Sequence, residues 1–89
     1  MKAIITVLGN DQVGIIAKVC VYLADRKANV LDISQTIVKG YFSMVMIVDI
    51  SNITCTPGEM AGGLAELGSQ IGVVVKFQRE EIFESMQRI

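Results

Sequence analysis

Histidine and tryptophan are both absent from the 89-residue chain, and proline occurs once. Without histidine there is no histidine-based catalytic triad, no imidazole metal ligand and no proton shuttle near neutrality. Cysteine occurs only at Cys20 and Cys55. That spacing matches no metal-ligand pattern and is too sparse to staple a small secreted domain. Both are read as reduced thiols in a cytoplasmic protein, and Met1-Lys2-Ala3 runs into a strand pattern without a cleavage signal. No apolar run approaches the roughly 18 residues of a membrane span. An excess of positive charge is missing too: 8 Lys+Arg face 9 Asp+Glu, a net charge of −1. Nucleic-acid binding, which needs a basic stripe, is therefore not expected.

What the chain does have is apolar content, 52% of its residues. Its length allows one domain, expected over 1–89 with a core over 2–79 and a helical tail over 80–89. A domain this small buries only about 60% of its unfolded surface, which favours support from a second subunit.

Lys2 to Leu8 is β-branched and apolar, a strand expected to be buried on both faces. Gly9-Asn10-Asp11-Gln12 reads as a turn, and from Val13 the period becomes helical, with Ile16, Val19, Cys20 and Leu23 on one face. Asp11 is the expected N-cap, Gly14 falls in the first turn, and the helix should end near Lys27-Ala28. Asn29 to Lys39 alternates, placing Leu31, Ile33 and Ile37 on one face of a half-buried strand. Lys39-Gly40 marks a hairpin turn into Tyr41–Ile50, where Phe42, Met44, Met46, Val48 and Ile50 repeat at period two. The two methionines read as core rather than as a promiscuous groove. Thr56-Pro57-Gly58-Glu59 carries a helix-start signature, followed by Met60, Leu64, Leu67 and Ile71, and Gly72 stops the helix. Val73 to Phe77 is the fourth strand. Ile82, Phe83, Met86 and Ile89 give a short amphipathic helix suited to a subunit contact.

The order βαββαβ predicts an α+β ferredoxin-like sandwich: a four-stranded antiparallel sheet with two helices on one face, plus a short C-terminal helix. The fold does not name a function. An RNA-recognition motif is excluded because Phe42 and Ser43 break the third-strand signature that Lys39-Gly40-Tyr41 begins, and the first strand has no aromatic. A metal chaperone needs CxxC, and an acylphosphatase needs an arginine in the first loop. Neither is present, and Gly9–Gly14 is neither a P-loop nor GxGxxG.

Asp11-Gln12-Val13-Gly14, closing the first strand, and Asn29, opening the second, resemble the ACT domain, whose first loop has a D/N-x-x-G pattern. The runs Asp32–Thr36, Phe77–Phe83 and Met86–Ile89 resemble those of a bacterial family of stand-alone ACT proteins related to the glycine cleavage system repressor. The resemblance implies a regulatory, non-catalytic module that binds an amino acid between subunits of a homodimer. Its site would comprise Asp11, Gln12, Val13, Gly14 and Asn29. Serine-binding members resemble a form with histidine where Gly9 stands and asparagine where Asp11 stands. A carboxylate at Asp11 repels a ligand carboxylate, which points to another ligand or to none.

The residues themselves allow that chemistry. A helix start after Asp11 offers free N–H groups to a carboxylate, and Asp11 or the Asn29 amide oxygen could accept from an ammonium. Each residue also has a plainer role: Asp11 as a cap, Gly14 for close packing, Asn29 as a turn residue and Gln12 as a solvent-facing side chain. No metal or cofactor is expected, and the partner would be an enzyme or a transcription regulator. The alternative is a dimeric interaction module with no ligand.

Overall fold

A computed structural model describes residues 1–10 and 12–80. Its elements are β1 (Lys2–Asn10), α1 (Ile15–Asp25), β2 (Asn29–Val38), β3 (Tyr41–Asp49), α2 (Pro57–Ile71) and β4 (Val73–Arg79). The strands form one antiparallel sheet in the order β2-β3-β1-β4. This is the ferredoxin-like arrangement that the element order predicts. The C-terminal helix expected over 80–89 lies, beyond Glu80, outside the described residues.

One face of the sheet carries the core. Ala3, Ile5 and Val7 of β1 alternate inward beside Phe42, Met44, Met46 and Val48 of β3 and Val73 and Val75 of β4. Ile15, Val19 and Leu23 of α1 and Met60 and Leu64 of α2 close over them at fourfold spacing, the stripe a helix presents to one side. Both helices therefore cover the same face. The opposite face has no described helix on it, and β1 is buried on both sides only over its first part, where Ile4 is buried too. Leu8 is 45% exposed there.

Local signals hold where the chemistry is local. Lys39 and Gly40 both have positive φ, 52° and 80°, the geometry of a two-residue hairpin whose twist matches its strands. Thr56 and Glu59 form the expected capping box. The Thr56 hydroxyl accepts from the Glu59 N–H at 3.1 Å, and the Thr56 N–H donates to the Glu59 carboxylate at 3.2 Å. Pro57 occupies the first turn, and Gly72 ends the helix in the left-handed region.

Three expectations are corrected. β1 runs through Asn10 rather than turning at Gly9, because Gly9 pairs with Val73 across the sheet. A Cβ at Gly9 would stand 2.7 Å from the Val73 Cγ1, so glycine is what lets the strands stay together there. α1 begins at Ile15 with Gly14 as its N-cap, not Asp11, and it ends at Asp25. Its exit is a Schellman turn in which Lys27 takes a left-handed φ of 61°, its N–H donates to Ala24 and that of Ala28 donates to Leu23.

β2 departs furthest. A bulge between Val30 and Asp32 slips Leu31 out of the ladder, so Val30, Ile33, Gln35 and Ile37 share the helix-side face while Leu31 does not join them. The strand is not half-buried either. Only Val30 is partly covered, because the helices sit over the other three strands.

Candidate functional site

The first loop leads into a helix start of unusual form. Gly14 adopts φ 90°, ψ 2°, and among the described residues no side chain caps α1. The ladder begins with the Lys18 N–H donating to the Gly14 carbonyl, which leaves the N–H groups of Ile15, Ile16 and Ala17 without an intrahelical acceptor. These donors, with the positive end of the helix dipole, favour an anionic group.

Beside that helix start lies a groove of about 530 Å³, lined by Gln12, Gly14, Ile15, Ile16, Ala17 and Cys20 on one side and Gln35, Ile37 and Phe42 on the other. It exists because β2 extends past the cover of α1. The walls are mainly apolar, with the side-chain amides of Gln12 and Gln35 as the polar groups. Such a cleft suits a small molecule with an apolar body and an anionic end.

The expected site residues fall into three groups. Gln12 and Gly14 line the groove. The Gln12 side chain is not merely solvent-facing, since its amide donates to the Ile71 carbonyl at the end of α2. Val13 stands beside them fully exposed and does not line it. Asp11 lies outside the described residues.

Asn29 is not brought to the loop. It pairs with Asp49, which pairs with Lys2, whereas Gly9 and Asn10 pair with Phe42 and Tyr41 at the other end of the sheet. About 27 Å of strand separates Asn29 from Ile37. In a single chain the two parts of the expected site cannot meet.

Gln35, Ile37 and Cys20 are groove residues that the loop pattern does not reveal. A signal was present for Gln35, a polar residue in the inward register of Ile33 and Ile37. Its meaning depends on α1 leaving β2 uncovered, which no local pattern encodes. Cys20 is half-buried against the core, and Cys55 likewise.

Among the described residues no cluster of three or more His, Cys, Asp or Glu could hold a metal ion. No helix among them is long and apolar enough to cross a membrane. Asp49, away from the groove, has a shifted titration. Asp49 is held below the ordinary carboxylate range by the Ser51 hydroxyl and then by the Ser51 N–H, which donates at 2.8 Å.

Comparison with known proteins agrees with this architecture. The family model described as "ACT domain" matches residues 2–78. A UPF0237 protein of Bifidobacterium longum is 60% identical over 88 residues, spanning 99% of this chain and 98% of that one. Among solved structures, an ACT domain protein from Streptococcus pneumoniae superimposes with a TM-score of 0.82 at 37% identity, covering 94% of each chain. A protein named as a glycine cleavage system transcriptional repressor shares the fold, with a TM-score of 0.72 at 22% identity over 88% of this chain and 44% of that one. ACT domains are typically regulatory ligand-binding modules. With the capped and uncapped helices, the four-stranded order and the family match in agreement, the chain belongs to the ACT domain family and stands with the UPF0237 proteins within it.

Proposed function

We propose that the protein is a non-catalytic, cytoplasmic sensor that binds an amino acid or a similar small metabolite in the groove beside α1. The supporting observation is the helix start at Gly14, whose N–H groups face no capping side chain among the described residues and whose flank is an apolar cleft. The ligand carboxylate meets the N–H groups after Gly14, and its side chain lies along Ile16, Ile37 and Phe42. Its ammonium takes Asp11 as acceptor, or the amide oxygen of Asn29. Because Asn29 sits at the far end of β2, it reaches this groove only from a second copy, so the site belongs to a homodimer. Binding then alters affinity for an enzyme or transcription regulator, since a ligand regulates only through unequal affinity for two states.

A panel of amino acids tested by thermal denaturation decides this. A ligand present at about 100 times its dissociation constant adds about 2.7 kcal/mol of stability. A stabilisation lost in both Gly14→Val and Asn29→Ala supports the shared site. No stabilisation by any of them at millimolar concentration favours the second reading, a ligand-free docking module. That reading draws on the exposure of Ile33 and Ile37 along β2.

A further inference from the structure

We infer that the groove between α1 and α2 is a docking surface for a basic amphipathic helix of another protein. It lies on the flank of α1 away from the cleft beside β2, and it stands whether or not a ligand binds in that cleft.

Each helix gives one stripe to the core, and the flanks that face each other above it are not sealed. On α1 the core residues Ile15, Val19 and Leu23 are followed round the helix by Tyr22, then Lys18 and Asp25, then Val21. On α2 the matching flank carries Leu67, Gly63 and Glu66. Tyr22 spans the gap. A Cβ at Gly63 would collide with the Tyr22 hydroxyl, so glycine is what lets the ring lie against the backbone of α2.

Toward the start of α1 the flanks enclose a depression of about 380 Å³, with Ala17, Val21 and Leu67 as its apolar side chains. Val21 is 59% exposed. Toward the end of α1 a wider depression of about 730 Å³ is lined by Asp25, Glu59 and Glu66. Tyr22, Asp25 and Arg26 border both, so the two form one groove, apolar at one end and acidic at the other.

Charge identifies the occupant. The Arg26 guanidinium lies 3.6 Å from the centre of the Tyr22 ring and donates to the Tyr22 carbonyl at 3.2 Å, which holds it down on α1. Glu59 is engaged in the capping box of α2. Asp25 and Glu66 are exposed, and neither pairs with a cation among the described residues. Carboxylates without a counter-charge, beside an apolar seat, select a partner of the opposite sign. Spacing sets its form. Val21 and Asp25 lie about one helical turn, about 6 Å, apart along α1. A helix presents an apolar residue and a basic one at that same interval, i and i+4, on one face. A third helix lying between two others is the helix-in-groove mode of recognition. Nucleic acid is repelled by the same carboxylates. α1 is a wall of this groove and of the ligand cleft alike, with Ala17 lining each.

Fluorescence anisotropy with the full-length protein tests the inference. The probe is a fluorescein-labelled helical peptide of about 15 residues, with leucine along one face and lysine flanking it. It should bind saturably, and the same peptide with glutamate in place of lysine should not. Val21→Glu and Glu66→Lys should each weaken binding about tenfold with an unchanged far-ultraviolet spectrum. Asp32→Lys makes the same change of charge on exposed β2 and should leave the affinity within about twofold. Asp25→Lys combined with Glu66→Lys should transfer the preference to the glutamate peptide, a reversal that misfolding cannot produce. Absence of saturable binding overturns the inference. So does equal weakening by Asp32→Lys and Glu66→Lys, which would mean that only overall charge is read. Self-association of the free protein that Val21→Glu abolishes would assign the groove to a second copy, and also overturns it.

Discussion

The two ends of the sheet treat their polar groups in opposite ways. At the end where β1 begins, nearly every terminus has a partner in the chain itself. The Met1 ammonium donates to the Ser51 hydroxyl at 2.6 Å, Ser51 holds Asp49, the Thr54 N–H reaches Arg26, α1 leaves through its Schellman turn and α2 enters through its capping box. At the hairpin end, α1 starts at a left-handed glycine with no side-chain cap among the described residues, beside a cleft. Closed termini contribute stability, whereas an open one leaves donors available to something outside the chain. One end of this domain closes its termini within the chain, and the other leaves helix donors open among the described residues.

Substitutions at the open end should cost most where the backbone itself is unusual. Gly14→Val places a β-branched residue at φ 90° and should remove about 2 kcal/mol in urea denaturation. Gly14→Asn, which tolerates that region, should cost a few tenths of a kcal/mol. Equal costs for the two would mean that the left-handed start is not needed.

At the closed end, Thr56→Ala should remove about 1 kcal/mol, and Thr56→Ser should preserve most of it. Lys27→Gly should raise stability by about 0.5 kcal/mol, because glycine accepts the left-handed C-terminal position that lysine holds under strain. The smallest effect concerns Asp49. Its folded pKa is depressed, so its contribution is full above the ordinary value of 3.8 and is lost as pH falls through the lowered one. Ser51→Ala should move the Asp49 titration, followed by NMR, back up toward that ordinary value.

The local signals were legible in the sequence and the start of α1 was not, for a physical reason. Thr56-Pro57-Gly58-Glu59 and Lys39-Gly40 act on their own neighbours, so reading them needs no knowledge of what lies across the sheet. Met44 and Met46 were readable for the same reason, as members of a period-two strand. The start of α1 depends on β1 continuing through Gly9, and that depends on Val73, far along the chain. The separation of Asn29 from Gly14 likewise follows from strand order, and the exposure of β2 follows from where the helices come to rest. The bulge at Leu31 reverses the register that simple alternation assigns to the residue before it.

The hydrogen bond from Gln12 to Ile71 links the first loop to the last turn of the opposite helix. A molecule that drew the Gln12 amide away from that carbonyl would loosen the last turn of α2 at a distance from the cleft. Amide exchange around Gly72 would then serve as a remote gauge of that displacement.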